Sequence, residues 1–232
     1  MKAAVLNYTG TVGKTTIAAH MLAPRMNAPV IAIESINETA ATAGVEVDKI
    51  RGDKFKEIFK KMMEVPDAVI DIGASNVEDF LTGMTKFEDS HLEIDYYIVP
   101  VTSGTKEQRE TMNIIDVLSE FGIPADRIRV IFNRVESDAE EEFAPIFTYA
   151  KKTGKCTVNP AASIFENELF DLLAIKKMTV SALLADDTDY RAKNREEKDT
   201  KLRSQYQDMH IMKSLAKSVN RNLDEVFAAT FQ

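Results

Sequence analysis

The chain has 232 residues, 44% of them hydrophobic and 28% charged, with a formal net charge of −8. That balance suits one globular domain with a sizeable core and excludes a surface that is basic as a whole. A single cysteine, Cys156, excludes an intrachain disulfide framework, and three histidines without ligand spacing give no zinc signature. No apolar run approaches a membrane span and the chain opens without a signal-peptide pattern, so the reading is cytoplasmic.

The first predicted element is an apolar strand over 3–6. It leads into Thr9-Gly10-Thr11-Val12-Gly13-Lys14-Thr15-Thr16 and a helix over 15–26. A buried strand, a glycine-containing loop, a Lys-Thr pair and a helix form a phosphate-binding loop. Gly10 and Gly13 allow successive N–H groups to turn inward around an anion, and the helix adds its positive end. Lys14 can reach β- and γ-phosphates as a point charge, and the Thr15 hydroxyl can ligate Mg²⁺. The plain alternative is a tight strand-to-helix turn with an exposed lysine.

A second strand over 30–33 runs into Glu34-Ser35-Ile36-Asn37-Glu38, and a helix is predicted over 53–65. The third strand, 68–72, lies in Asp67-Ala68-Val69-Ile70-Asp71-Ile72-Gly73. A carboxylate at the end of a strand beside the loop can hold Mg²⁺ through a water, and Gly73 lets the chain pass close to a γ-phosphate. The alternative is an aspartate capping a turn. A helix over 77–88, a strand over 96–101, a helix over 105–121 and a strand over 129–132 ending in Asn133-Arg134 follow. A helix over 138–152, a strand over 156–158 with Cys156 as a buried inert thiol, the pair Asn159-Pro160 and a helix over 164–184 complete the series. This alternation predicts an α/β fold of three layers, a mostly parallel sheet with helices on both faces.

The acidic turn Asp186-Asp187-Thr188-Asp189 divides an α/β body, 1–185, from a helical region, 186–232, expected to pack on it. Ile211, Leu215 and Val219 recur at spacing four as one helix face. Asn222 followed by Glu225 predicts the start of a last helix, whose Phe227 and Phe231 pack on the body. Charge is uneven: residues 191–221 hold nine basic side chains against Glu196, Glu197, Asp199 and Asp208. Such a segment is either a footprint for DNA or an acidic partner, or a solvated face laced with pairs such as Glu197–Lys201.

The loop resembles the deviant Walker A of the ParA/MinD ATPases, KGGxGKTT. Gly10, Gly13, Lys14, Thr15 and Thr16 match; Thr9 stands where that family has its signature lysine, and Thr11 where it has a second glycine. The resemblance extends over roughly residues 1–175 and implies a P-loop NTPase fold with ATP and Mg²⁺ as ligands. It implies a cradle of Thr9, Gly10, Thr11, Val12, Gly13, Lys14, Thr15 and Thr16, with Thr15 and Asp71 at the metal. Asn133 and Arg134 sit where the family reads the adenine edge, and Pro160 falls in its base loop. The family's Asp-x-Asp falls on Glu34 and Ile36, and Ile36 cannot orient a water; Asn37 or Glu38 could serve instead. Lys14, Glu34 and Asp71 are therefore the catalytic candidates, with hydrolysis slow or dependent on a partner.

A narrower resemblance is to plasmid stability proteins of the StbB/TraL type. It implies an ATP-dependent homodimer, an adaptor protein bound to plasmid DNA, and nonspecific DNA contact through 191–221. The MinD branch adds a basic amphipathic membrane anchor; the last eleven residues here hold Asp224 and Glu225 and no lysine or arginine, which argues against one. Two other readings stand beside the switch. One is a dethiobiotin-synthetase-like ligase or small-molecule kinase, with Thr102-Ser103-Gly104-Thr105-Lys106 as its one candidate substrate loop. The other is a nucleotide-binding module that has lost hydrolysis, favoured by Thr9 and Ile36.

Overall fold

A computed structural model describes residues 1–34 and 47–232. Seven strands form one sheet: β1 (Lys2–Val5), β2 (Val30–Ile33), β3 (Val47–Ile50), β4 (Ala68–Ile72), β5 (Tyr96–Val101), β6 (Ile128–Val135) and β7 (Ser163–Phe165). Their order is β3-β2-β4-β1-β5-β6-β7, and every pairing is parallel. Parallel neighbours need crossovers, and helices supply them on both faces, as the alternating pattern predicts.

Strand alternation sends side chains to two separate cores. Ala4, Leu6, Ile31, Ile33, Ile70 and Ile72 point into one, closed by the helices Phe55–Glu64, Val77–Lys86, Thr105–Glu120 and Ala144–Thr153. Ala3, Val5, Val30, Val69, Ile98 and Ile131 point into the other. That second core holds the helical run 14–26, the helices Leu169–Lys176 and Val180–Ala185, and the far half of the C-terminal helix Thr200–Phe231. The middles of β1 and β4 are therefore apolar on both faces, and the polar groups lie at the strand ends: Asp71 at the carboxyl end, Met1, Lys2 and Asp67 at the amino end.

Several boundaries differ from the sequence expectation. Residues 156–158 make one bridge, Arg129 to Thr157, rather than a strand. The edge strand is Ser163–Phe165, which overlaps the start of the interval 164–184 expected to be helical, and the helices there begin only at Leu169 and Val180. β3 also escaped prediction, because Val47-Asp48-Lys49-Ile50 shows no apolar run. The expected helix over 138–152 breaks at Phe143 into Ala139–Glu142 and Ala144–Thr153.

No new helix starts at Asn222. The C-terminal helix is continuous from an Asp199 cap that accepts from the N–H groups of Lys201 and Leu202, at 2.8 and 3.0 Å. Glu197 precedes that cap, so Glu197–Lys201 is not a pair within one helix. The buried stripe is Met212, Ala216, Val219, Leu223 and Val226; Ile211 is 55% exposed. Asn222 instead bridges to β7, accepting from the Phe165 N–H and donating to the Ser163 carbonyl at 3.3 and 3.0 Å. Phe231 packs edge-on against Tyr96, with ring centroids 4.9 Å apart. Cys156 is buried, which pushes its thiol up to about 11 and leaves it un-ionised at neutral pH. Among the described residues no helix is long and apolar enough to cross a membrane.

Candidate phosphate-binding site

The loop of residues 6–13 leaves the carboxyl end of β1, where Val5 is level with Asp71 of β4. Its shape is held by Asn7, a fully buried residue that carries no motif in the sequence. The Asn7 amide donates to the Pro100 carbonyl at 2.9 Å and to Thr111 Oγ1 at 2.8 Å. Its own oxygen accepts from the N–H of Thr9 at 3.1 Å and from the Thr9 hydroxyl at 3.3 Å. Asn7 therefore ties the loop to β5 and to the helix Thr105–Glu120. A buried asparagine with all these bonds made rigidifies its surroundings. The only trace in sequence is a polar residue directly after an apolar strand.

Gly13 is the position where the loop requires glycine. Its φ is +84°, and a Cβ there would lie 2.2 Å from Asn133 Nδ2. Gly10 has no such demand: its backbone is not left-handed, and a Cβ would meet nothing within 4 Å. The expectation that both glycines shape the turn is corrected on this point. Thr11 is exposed beside Gly10, while Val12 and Thr9 are buried.

The helical run 14–26 starts directly after Gly13. It is α-helical at Lys14–Thr16 and Ala23–Met26 and π-helical at Ile17–Leu22. Pro24, which cannot donate, follows the π turn. Lys14 is 5% exposed and folds back into the loop, donating to the carbonyls of Asn7 and Thr9 at 3.2 and 2.5 Å. Its ammonium thus sits inside the ring of loop backbone.

Thr15 Oγ1 donates to Asp71 Oδ2 at 2.7 Å. Asp71 is 4% exposed, and its other oxygen, Oδ1, has no hydrogen-bond partner. Burial pushes the Asp71 carboxyl up to about 6, against the opposing pull of the Thr15 hydrogen bond and the Lys14 charge, and the nearby Glu34 carboxylate adds to the rise. Glu34 forms an ion pair with Lys49 of β3 at 3.4 Å. A hydroxyl, an orphaned buried carboxylate oxygen and a second carboxylate form a hard-oxygen donor set that fits Mg²⁺. Ile36, Asn37 and Glu38 lie outside the described residues. Gly73 follows β4 in an ordinary extended conformation, φ −56°, and leads into a turn at Ala74–Asn76.

On the other side of the loop, Asn133 is buried and donates to the Val12 carbonyl at 2.9 Å. Arg134 adopts a φ of +55° at a bulge in the β6–β7 pairing, an uncommon backbone for a non-glycine residue. Gly13, Thr16, Asn133 and Arg134 line one wall of a cleft of ≈ 350 Å³, a size that admits a purine. Glu166, Asn167, Phe170 and Asp171 line the opposite wall. All four were missed, because they follow a strand that was read as helix. Pro160 does not reach this cleft. It lies before β7, in a turn whose Asn159 amide donates to the Ala229 carbonyl of the C-terminal helix at 3.1 Å. The chain that lines this cleft is the segment at and after the end of β7, Phe165 to Asn167, rather than the segment before it.

The basic segment lies apart from this site. The short helix Tyr190–Glu196 folds against the C-terminal helix, with Lys193 and Lys213 over the rings of Tyr206 and Tyr190, each at 5.8 Å. Lys213 also donates to the Asp186 and Thr188 carbonyls. Residues 198–205 are exposed on every side, Lys198, Lys201 and Arg203 among them.

No family model matches the chain, and no curated protein matches it. Solved structures do. The chain is similar to the cell division ATPase MinD of Pyrococcus furiosus, at 15% identity and a TM-score of 0.54 over 97% of each chain. It is similar to the septum site-determining protein MinD of Pyrococcus horikoshii OT3, solved with Mg-ADP, at 17% identity and a TM-score of 0.53 over 81% of this chain and 89% of that one. A ParA family ATPase of Chlorobium tepidum TLS matches at 14% identity and a TM-score of 0.52, over 81% of this chain and 92% of the other. At these identities the shared property is the fold: this chain has the P-loop NTPase fold of the ParA/MinD ATPases.

Proposed function

We propose that the chain is an ATP- and Mg²⁺-binding switch of the ParA/MinD type. The observation that carries this reading is the 2.7 Å contact between Thr15 and Asp71, made beside a lysine folded into a glycine-turned loop at the carboxyl ends of β1 and β4. The Pyrococcus horikoshii MinD is complexed with Mg-ADP, which supports the same class of ligand here. In this reading the N–H groups around Gly13 and the Lys14 ammonium bind phosphate oxygens, replacing the carbonyls that Lys14 now meets. Thr15 and Asp71 hold the metal, which supplies neutralisation of phosphate charge. Asn133 and Arg134 face the base from the cleft.

The switch acts through differential binding: a nucleotide that orders the chain around Glu34 and Asp71 favours one assembled state. We assign that state to a homodimer formed with ATP, and the work it serves to plasmid stability or conjugative DNA positioning, with an adaptor on the DNA. Hydrolysis is slow and partner-stimulated, because Glu34 is ion-paired to Lys49 rather than free to orient a water. Lys198, Lys201 and Arg203 are the DNA-contacting set. The competing kinase-like reading needs an anion-binding cluster near Lys106, and Lys106 is exposed at the start of its helix.

Light scattering without nucleotide, with Mg-ADP and with Mg-ATP tests the switch. A mass that doubles with Mg-ATP in the wild type and not in Lys14→Ala is the expected result. A constant monomer mass in the presence of demonstrated ATP binding rules out the dimer switch.

A further inference from the structure

At the amino edge of the sheet, opposite the phosphate-binding loop, lies a second cleft of ≈ 450 Å³ lined by Met1, Asp95, Tyr96, Asp126, Arg127 and Arg129. Arg127 closes the short turn Ala125–Arg127 and Arg129 is the second residue of β6. Both are half-buried. The Arg129 guanidinium lies over the Tyr96 ring, 5.7 Å from its centroid, and that ring is fixed in turn by Phe231. Stacking on an aromatic face holds a guanidinium in one orientation without satisfying its N–H groups. Arg129 Nε is buried and has no hydrogen-bond acceptor. Among the described residues neither Arg127 nor Arg129 has a carboxylate within ion-pair distance.

A buried, unsatisfied charged donor is costly, and two neighbouring guanidinium groups repel. An anion bound between them removes both penalties. The lining also defines which anion. Asp95 is held in place by the Lys2 N–H at 2.7 Å and by the Met1 ammonium at 4.0 Å, so its charge is directed away from the two guanidinium groups, and Asp126 adds the cleft's second carboxylate. The planar guanidinium fork matches the two coplanar oxygens of a carboxylate better than the tetrahedral oxygens of a phosphate. We propose that this cleft binds a carboxylate through Arg127 and Arg129, at a site separate from the nucleotide. The source is either a free dicarboxylate or an acidic side chain of a protein partner, and the chemistry is the same for both.

The test follows the arginine Nε–H resonances of the intact protein by NMR during titration with succinate, with N-acetyl-glutamate amide and with inorganic phosphate. Saturable shifts of Arg127 and Arg129 with at least one carboxylate probe are expected. Affinity should fall about tenfold or more in both Arg127→Gln and Arg129→Gln, the loss of one charge-assisted pair. Succinate binding without glutamate-amide binding identifies a free dicarboxylate; binding of both identifies a partner's side chain. If no carboxylate produces a saturable shift, or phosphate binds more tightly than either, the assignment is overturned. Equal binding by both folded variants also overturns it. Lys14→Ala should leave these titrations unchanged, so the result is independent of the nucleotide reading.

Discussion

Asp71 and His20 are buried titratable groups, and they act on stability in opposite directions. Burial raises the Asp71 carboxyl from 3.8 to about 6, so the folded state holds a proton that the unfolded chain has released. Its contribution to stability is therefore present below pH 3.8 and is lost as pH rises towards 6. Asp71→Asn removes that penalty and keeps the shape. At neutral pH it should stabilise the ligand-free protein by about 2–3 kcal/mol while abolishing the Mg²⁺ dependence of nucleotide binding. Thermal unfolding at pH 7 with and without Mg²⁺ reads both effects, and a destabilised Asn variant contradicts the argument. His20 shifts the other way. Its ring packs against Phe170, its Nδ1 accepts from the Val180 N–H at 3.3 Å, and burial lowers its pKa from 6.5 to about 4. The unfolded chain binds that proton first, so stability falls as pH drops from 6.5 to 4. His20→Asn, which keeps an acceptor without the titration, should flatten the acid limb of a stability–pH curve. An unchanged acid limb would show that other groups control it.

Glycine at two loop positions gives a second residue-level contrast. Gly13→Ala meets both a left-handed φ and Asn133 at 2.2 Å, and should cost about 1–3 kcal/mol and most nucleotide affinity. Gly10→Ala meets open space and should be nearly silent in both unfolding and nucleotide titration. Equal effects of the two substitutions would mean that the loop is shaped by something other than the Gly13–Asn133 contact.

Among the elements, the C-terminal helix has two unlike halves. Its far half fills the second core through Met212, Ala216, Val219, Leu223 and Val226. Arg25, at the end of the helical run 14–26, secures it by bonds to Asp224 and Asn220 at 2.9 to 3.1 Å. The phosphate-loop helix is thus packed against the last helix of the chain. Leu223→Ala should cost about 2–5 kcal/mol in denaturant unfolding, because the site is enclosed and cannot collapse readily. Ile211→Ala, on the exposed face, should change stability by less than about 0.5 kcal/mol. A single-residue shift separates the predicted stripe from the observed one at its start, because Ile211 and Met212 are both apolar. Only contact with the body decides between them.

For the whole molecule, charge separates by region. The body is acidic, and the exposed start of the C-terminal helix is basic. Neutralising Lys198, Lys201 and Arg203 to Gln should weaken DNA binding and reduce the slope of log affinity against log salt by about 2–3. An unchanged slope would remove this segment from any DNA interface. Since these side chains are exposed and none contributes to either core, the fold should be unaffected, and circular dichroism checks that.

The sequence alone determined the α/β alternation, the strands that are apolar on both faces, the loop ending in Gly13-Lys14-Thr15 and the carboxylate at the end of β4. Each of these is local: a periodicity, a turn that needs glycine, or a charge at a strand end. Tertiary structure decided the rest. Asn7 is important because of Pro100 and Thr111, more than ninety residues away. Edge strands β3 and β7 are only four and three residues long, so pairing rather than composition defines them. The far wall of the cleft depends on where β7 ends, and Asn222, which reads as a helix cap, is in fact the bolt between β7 and the last helix. Long-range hydrogen bonds and the choice of buried face leave little trace in a linear pattern, since any polar residue at the right depth can make them.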